Sequence, residues 1–535
     1  MKFLEKFLDK NRPSKDNNYF YLYEVVQNFF FSSKVATTGK THIRDRLDIQ
    51  RVMVVVWLAT FPAMFWGMYN LHERPDDAFN ATYQGGERDE WEVSRHGNPS
   101  NGGVNVSGED TIKKYQEFNN LARNADDPDV YAQIEEQLEI DDFISYMLVN
   151  IGLGNGDWGH KNYYVSKSPL DGKWRFHSWD AEKVFESLND DLSKRNDRPG
   201  PTGIHHGLLQ NADYRIRFAD AVHKQFLNGG VMSVEGLQSA YRRRTDEIDR
   251  AIILESARWG DSANGVNSPY TKEDWNTERD RIMEDYFPQR VGVVLKQFDK
   301  TNLMGDLDAP TFTQHGGSLA SGSEVQIKKS IFANGDIYYT LDGSDPRLAG
   351  GYLSDKAIKL GDPFILTETS TVKARVHRSS VFGAKDWSAL LEATFVVDAV
   401  PVAGNSLVVS KLNYRPSGAS TEESVAGFTR KDFEFLELMN ISSERVDLRE
   451  AAFVRGISFD FVDANLMTID AGATVLLVKN KEAFELRYGT EHAVAGVFDG
   501  SLSNDGERLE IRAGTESISD FSYNDAAGWP EGTDG

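Results

Sequence analysis

Cysteine is absent from the 535 residues, which excludes disulfides, thiolate catalysis and cysteine-ligated zinc, so stability has to come from packing. The chain also has no basic excess. Its formal net charge is −23, from 59 Lys and Arg against 82 Asp and Glu. No nucleic-acid partner is expected, because releasing counterions from a phosphate backbone takes a basic surface. An acidic surface suits metal ions or simple solubility. A shortage of core formers does not apply: the chain is 40% hydrophobic, with 31 Phe, 20 Tyr and 10 Trp. The length is too great for one core and predicts about three or four domains.

Charge is unevenly spread. Met1 to Leu71 carries ten Lys and Arg against six Asp and Glu, a net +4, which leaves 49 against 76, or −27, for the rest. Long apolar runs are scarce, and the prominent one is VMVVVWLATFPAMFWGMY, Val52 to Tyr69, eighteen residues without a charge. That length is at the lower limit for a bilayer-spanning helix, and Pro62 in its middle is better tolerated in a membrane than in water. A transmembrane helix is therefore expected; a buried soluble helix is the alternative. Some fifty polar and basic residues precede the run and no small-residue cleavage site follows, so it is not a signal peptide. Arg44, Arg46 and Arg51 flank its start, which puts Met1 in the cytoplasm and everything after Leu71 outside.

The stretch LYEVVQNFFFSSKVATTGKTHIRDRLDIQRVMVVVWLATFPAMFWGMYN resembles the start of the NqrB subunit of the sodium-translocating NADH:quinone reductase, over residues 1–70. In that family later helices carry a covalent flavin, and nothing after Asn70 is apolar enough to supply them, so flavin is not expected here. From Trp66 the pattern changes. WGMYNLHERPDDAF resembles the CotH family of kinase-like proteins, and the likeness runs over 66–305. The word WGMYN suits both families, as a recombined or misassembled gene would leave it, and the frame is read as a chimera, with a genuine fusion as the alternative.

An apolar helical run, IDDFISYMLVNIGL, leads into Asn155-Gly-Asp157-Trp-Gly-His160-Lys161-Asn162, then Tyr-Tyr-Val, a turn at Pro169 to Gly172 and a second strand, KWRFHSWDAE, ending in Asp180. Protein kinases place a catalytic Asp five residues before a metal-binding Asn, then a hairpin, then a second metal-binding Asp. Asp157, Asn162 and Asp180 repeat that order. A γ-phosphoryl group in transfer spreads negative charge that Mg²⁺ on hard oxygen ligands offsets, while a carboxylate orients the attacking hydroxyl. Spacing alone is weak support, since Asp and Asn also dominate turns. The resemblance to CotH implies the roles: Asp157 catalytic, Asn162 and Asp180 for the metal, ATP and Mg²⁺ as cofactors if the chain is active, and Ser or Thr of a surface or secreted protein as substrate. Lys161 is a secondary candidate for phosphate charge, against the commoner fate of a solvated loop residue; His160 stands likewise. His205 and His206 have no third ligand at useful spacing and read as structural. Glu255 and Arg258, in AIILESARWGD, suggest an ion pair at i, i+3 but more simply packing. Kinase-like folds also grip ATP with an N-lobe Lys paired to a Glu. Glu73 is the candidate acid, its lysine has no candidate, and the N-lobe reads as truncated, so activity is expected to be impaired.

After Asp308 short alternating runs separated by Gly, Asp and Ser replace the helical pattern and predict all-β structure. IYYTLDGSDPR, residues 337–347, resembles the chitobiase C-terminal and Fn3-associated β-sandwich, assigned to 306–398. Its aromatics offer sugar stacking but read first as cross-strand packing. FEFLELMNISSERVDLREAAF resembles the lamin-tail domain, assigned to 401–535 and expected to lack its last strand. The fold class expected is thus multidomain: one N-terminal transmembrane helix, an α+β kinase-like domain and two all-β sandwiches. The rival reading is a cell-surface scaffold in which a pseudokinase carries sandwiches that bind a polymer or protein. A third is a component of a respiratory pump. The location expected is the bacterial inner membrane, through residues 52–69 with the later domains outside, or the cell surface if the N-terminus is an artefact. Sequencing source DNA across the codons for Phe61 to Pro75 checks the join: a chimera gives a broken read, and a continuous read overturns it.

Overall fold

The computed structural model describes residues 67–68, 73–96, 102–265, 267–331, 333–379, 385–514 and 516–524. Helices α1 (Asp77–Gln84), α2 (Thr111–Leu121), α3 (Pro128–Gln137) and α4 (Ile140–Gly152) come first, interleaved with strands β1 (Glu92–Arg95) and β2 (Val104–Ser107). Strands β3 (Tyr163–Lys167) and β4 (Trp174–Ser178) follow, then α5 (Pro201–Leu208), α6 (Ala212–Phe226), α7 (Val234–Ile248), α8 (Ala251–Asn264), α9 (Lys272–Asp280) and α10 (Phe287–Lys300). The four strands form one antiparallel sheet in the order β2-β1-β3-β4. Residues 67–305 are thus α+β, with the hairpin after the Asp157 loop at the sheet's centre and edge.

The sequence explains these elements locally. In α4 ten of thirteen residues are buried, and a helix apolar all round belongs in a core. Phe143 and Tyr146 of α4 meet Phe176 of β4 at ring-centroid distances of 4.9 and 5.5 Å. Starts are marked by side chains that accept from free helix N–H groups: Asp76 for α1, Asn211 for α6, Ser233 for α7, and a Thr271/Asp274 capping box for α9. Strand β4 ends at Ser178, two residues short of the expected Asp180.

No helix among the described residues is long and apolar enough to cross a membrane. The segment expected to do so lies outside the described residues except for Gly67 and Met68, and at these two the expectation is corrected. Neither is helical. Gly67 has φ +141°, and a Cβ there would meet Trp259 Nε1 at 3.1 Å. Met68 N–H donates to Glu255 Oε2 at 2.7 Å. The end of the apolar run is therefore seated on α8, and Glu255, 5% exposed, serves that contact.

Beyond α10 the structure is β. Residues 317–397 form a sheet whose strands run in the order 358–359, 336–340, 370–379, 391–397, 317–319, with 385–387 added on 370–379. Residues 407–523 form two four-stranded sheets, 407–413 with 435–440, 474–478 and 494–497, and 459–460 with 451–455, 507–513 and 516–523. Asn440 in the E-L-x-N segment is buried and its Nδ2 donates to the carbonyls of Glu444 and Ile469. The expectation of a missing last strand concerns residues beyond Asn524 and lies outside the described residues.

The first β unit is clamped to the kinase-like region. Arg375, 2% exposed, donates to both oxygens of Asp220 on α6 at 2.7 Å each and to both of Asp345 at 2.8 and 2.6 Å. Its Nη1 also reaches Ser388 O, and Asp220 accepts from Leu390 N–H at 2.7 Å. Ala219, Ala309 and Ala389 pack together beside it, where small side chains let the backbones approach. Arg449 Nη1 donates to Thr394 O at 2.7 Å and ties the second β unit to the first. Removing one partner of a buried ion pair strands the other charge, so Arg375→Ala should lower the unfolding free energy by about 3 kcal/mol. Arg375→Lys should recover less than half of it, because one ammonium cannot match two forks. Urea unfolding of the full chain measures both, and a loss below about 0.5 kcal/mol for Arg375→Ala, the ordinary range of surface substitutions, would contradict the clamp.

Candidate functional site

The loop from Leu153 to Asn162 joins α4 to β3, and its fixed points come from the sequence around it. Trp158 is fully buried and its Nε1 donates to the Tyr146 hydroxyl at 2.6 Å. Asn155 Nδ2 donates to Asn150 Oδ1 at 3.0 Å. Gly156 N–H donates to Lys183 O, and Phe185 N–H to Leu153 O, so the loop is stitched to the segment that follows Asp180. Gly159 has φ +102°, and a Cβ there would lie 2.8 Å from Asp197 Oδ2; only glycine permits that approach.

On this frame Asp157, Lys161, Asn162 and Asp180 come together. Lys161 Nζ lies 2.9 Å from Asp157 Oδ2. Asn162 Nδ2 donates to the same oxygen at 3.2 Å and to Asp180 O at 3.4 Å, while Asn162 O accepts from Trp179 N–H. Asn162 and Asp180 both sit in the left-handed region, φ +59° and +53°. Such conformations cost on the order of 1 kcal/mol each and persist where the surroundings dictate them. With Nδ2 committed, Oδ1 is the atom Asn162 offers a hard cation. Glu73 is held by the Tyr83 hydroxyl ahead of the start of α1.

Three residues that sequence reasoning passed over join the site. Glu182 is pushed up to about 7, first by burial and then by the charges of Asp180 and Asp157, which puts a third carboxyl beside the pair; the spacing Asp-Ala-Glu was its signal. His96, at the end of β1, is pulled down to about 4 by burial first, then by Arg95, Lys161 and His160. Its ring meets Tyr163 at 5.8 Å, and no local pattern announces a contact that depends on the β1–β3 pairing. Arg195 donates to Gly156 O at 2.8 Å and faces His160 Nδ1 at 3.1 Å. Among the described residues no group of three or more His, Asp or Glu is arranged to hold a metal ion. The donor set Asn162 and Asp180 still fits Mg²⁺, which keeps several waters and takes few protein oxygens beside those of a phosphate.

His205 is buried on α5, hydrogen-bonded through Nδ1 to the Tyr214 hydroxyl at 2.8 Å, and pulled down to about 3 by burial and then by His206. His206 is exposed. The pair faces two environments and serves packing.

Residues 60–293 match the family model described as CotH kinase protein, and residues 325–381 match that described as Fn3 associated. The N-terminal region is similar to the NqrB subunit of the Na(+)-translocating NADH-quinone reductase. The Yersinia pestis protein is 40% identical over 89 residues, 16% of this chain and 22% of that protein. The Neisseria meningitidis protein is 44% identical over 73 residues, 13% of this chain and 18% of that protein. The chain thus spans about a fifth of the length of the curated relatives it matches. These are the CotH, Fn3-associated and reductase resemblances carried by WGMYNLHERPDDAF, IYYTLDGSDPR and the first 70 residues.

His96 and His205 are both held neutral in the fold. The unfolded state binds their protons below the ordinary value of 6.5 and the folded state does not until about 4 and about 3. Stability contributed by neutrality is therefore present above 6.5 and lost as pH falls. Each contributes a slope of up to about 1.4 kcal/mol per pH unit in that window. His205→Gln should flatten the fall of unfolding free energy between pH 6.5 and 4, in urea titrations followed by tryptophan fluorescence; equal slopes would count against it.

Proposed function

We propose, with a CotH-kinase-like region at residues 60–293 as premise, that the chain transfers the γ-phosphoryl group of ATP to Ser or Thr hydroxyls of a protein. The observation that carries the proposal is the gathering of Asp157, Asn162 and Asp180 around one loop tied at both ends. Asp157 orients the acceptor hydroxyl and takes its proton. Asn162 Oδ1 and the Asp180 carboxylate hold Mg²⁺, which neutralises phosphate charge when bound. Lys161, beside Asp157, supplies a further positive charge at the same place, and Glu182 adds a proton-binding carboxyl that feels Asp180 and Asp157.

Turnover is impaired. Glu73 is engaged by Tyr83, and the sequence offers no candidate for the lysine that would grip the α and β phosphates, so kcat falls below the usual kinase range of about 1–100 s⁻¹. The chain acts outside the cytoplasm, at a bacterial inner membrane through the apolar run before Gly67 or at the cell surface if that run belongs to another gene; Gly67 and Met68 themselves sit on α8. Flavin chemistry is not part of it. The scaffold reading is favoured by the Arg375 clamp and the Arg449 contact, which make the modules one continuous body suited to holding a polymer or partner through the sandwiches, the second of them lamin-tail-like.

The test is the full chain incubated with Mg²⁺ and labelled ATP, scoring phosphate on itself and on an added protein, against Asp180→Ala. The expected result is slow Mg²⁺-dependent labelling that falls by roughly a hundredfold or more in the variant. Absence of both labelling and Mg²⁺-dependent ATP binding would leave the scaffold.

A further inference from the structure

Resting on the phosphoryl-transfer reading above, we infer that the first β unit is a working part of the kinase-like region. Docked on α6 through the turn of IYYTLDGSDPR, it positions the Asp157 loop, and Arg375, Arg347, Asp213 and Asp220 are positioning residues for the transfer. Asp345 and Arg347 both belong to that turn. Asp345 takes one edge of the Arg375 guanidinium at 2.8 and 2.6 Å, and Asp220 takes the other at 2.7 Å twice. Arg347 pairs with Asp213. Asp213 and Asp220 lie seven residues apart on α6, two helical turns, and so share one face. The most distinctive word of the β unit is thus engaged by a helix of the kinase-like region.

Another face of the same helix belongs to the core. Phe218, Val222 and Phe226 recur at four-residue spacing and are buried with the residues of α4. Gln225 Nε2 donates to Ser145 Oγ of α4 at 3.1 Å, and Arg217 donates to Asp141 of α4 and to Glu135 of α3, each at 2.8 Å. At its end α6 meets the last residue of α4: a Cβ on Gly152 would lie 2.9 Å from Phe226 Cζ and 2.6 Å from Met232 Cε. The loop begins at the next residue, Leu153. Close packing leaves no slack at this point, so a shift of α6 is passed to the start of the loop.

A second route reaches the middle of the loop. The Tyr214 hydroxyl of α6 lies 2.8 Å from His205 Nδ1 of α5, and Phe218 meets the same ring at 4.9 Å. At the start of α5, Thr202 Oγ1 accepts from Asp197 N–H at 2.8 Å, and a Cβ on Gly200 would collide with Gly159 O. The loop therefore rests on α5, α5 on α6, and α6 on the β unit.

No bond forms or breaks at the clamp. Its part in the transfer is to hold Asp157 in place relative to Asn162 and Asp180, where a misplacement of about 1 Å costs on the order of a hundredfold in rate. Such a loss falls on kcat rather than on the KM for ATP.

Hydrogen exchange of the full chain, read by mass spectrometry over residues 153–162, tests this. Arg375→Ala and Asp220→Asn should speed exchange there by roughly tenfold or more. Asp220→Asn keeps an acceptor for Leu390 N–H and serves if Arg375→Ala does not fold. Arg487→Ala is the comparison: Arg487, its side chain 13% exposed, pairs with Glu423 at 2.7 Å in the second β unit, so its loss costs stability without touching α6. Loop exchange unmoved in the clamp variants, or raised equally by Arg487→Ala, overturns the inference. In the labelling assay the clamp variants should lose roughly 10- to 100-fold in kcat with the KM for ATP within about twofold, while Arg487→Ala keeps the parent kcat. An unchanged kcat in the clamp variants counts against the positioning role. Should the parent chain transfer no phosphate, exchange still decides whether the β unit positions the loop, and the phosphoryl-transfer reading falls alone.

Discussion

Everything at the site hangs from the guanidinium of Arg290. It is 1% exposed and donates to four backbone carbonyls, those of Ile151 and Gly152 at the end of α4 and those of Leu188 and Asp190 beyond Asp180. The last carbonyls of a helix have no partner within it and carry the negative end of its dipole. A buried cation satisfies both needs at once. Because the same side chain also holds the chain leaving the site, the entrance and the exit of the Asp157 loop are fixed to one point on α10. Tyr286 adds a second tie of the same kind, its hydroxyl facing Leu153 O and Ser187 O. The helical part thus cannot be trimmed before α10 without releasing the loop.

Fixing both ends lets the loop carry strain and charge between them. Asn162 and Asp180 hold left-handed backbones, which Asn and Asp adopt more readily than other non-glycine residues, and Trp158 anchors the middle on Tyr146. Three carboxyls, Asp157, Asp180 and Glu182, then share one side of the domain, and the outcome is that Glu182 retains its proton to about 7. Lys161 and Arg195 keep the field at this place from being wholly negative.

Much of this is legible in the sequence because it is local. The α4 run, the β3–β4 hairpin, the Asp157, Asn162 and Asp180 order, and the shift to alternating β pattern after Asp308 are all periodicity or spacing, and the resemblances rest on words such as GDWGHKN and IYYTLDGSDPR. What stays hidden depends on tertiary contacts. Arg290, Arg375 and Arg195 look like ordinary surface arginines in sequence, yet two are almost fully buried and the third lies on the loop. His96 reaches the site only because β1 pairs with β3. Glu73 suits a lysine partner by its place in the sequence, and the fold sets it against a tyrosine on the next helix.

The word WGMYN, shared by two families, has a physical consequence at Gly67 and Met68. Both residues pack on α8 through Trp259 and Glu255, so they are used by the kinase-like fold. A span through Tyr69 would need the same two residues as helix. Both demands cannot be met along their full length, since a helical Met68 would direct its N–H to the preceding turn rather than to Glu255. If residues 52–66 cross a bilayer, the fold begins at once where they end. At Gly67 and Met68 the word WGMYN therefore begins a fold and does not complete a span.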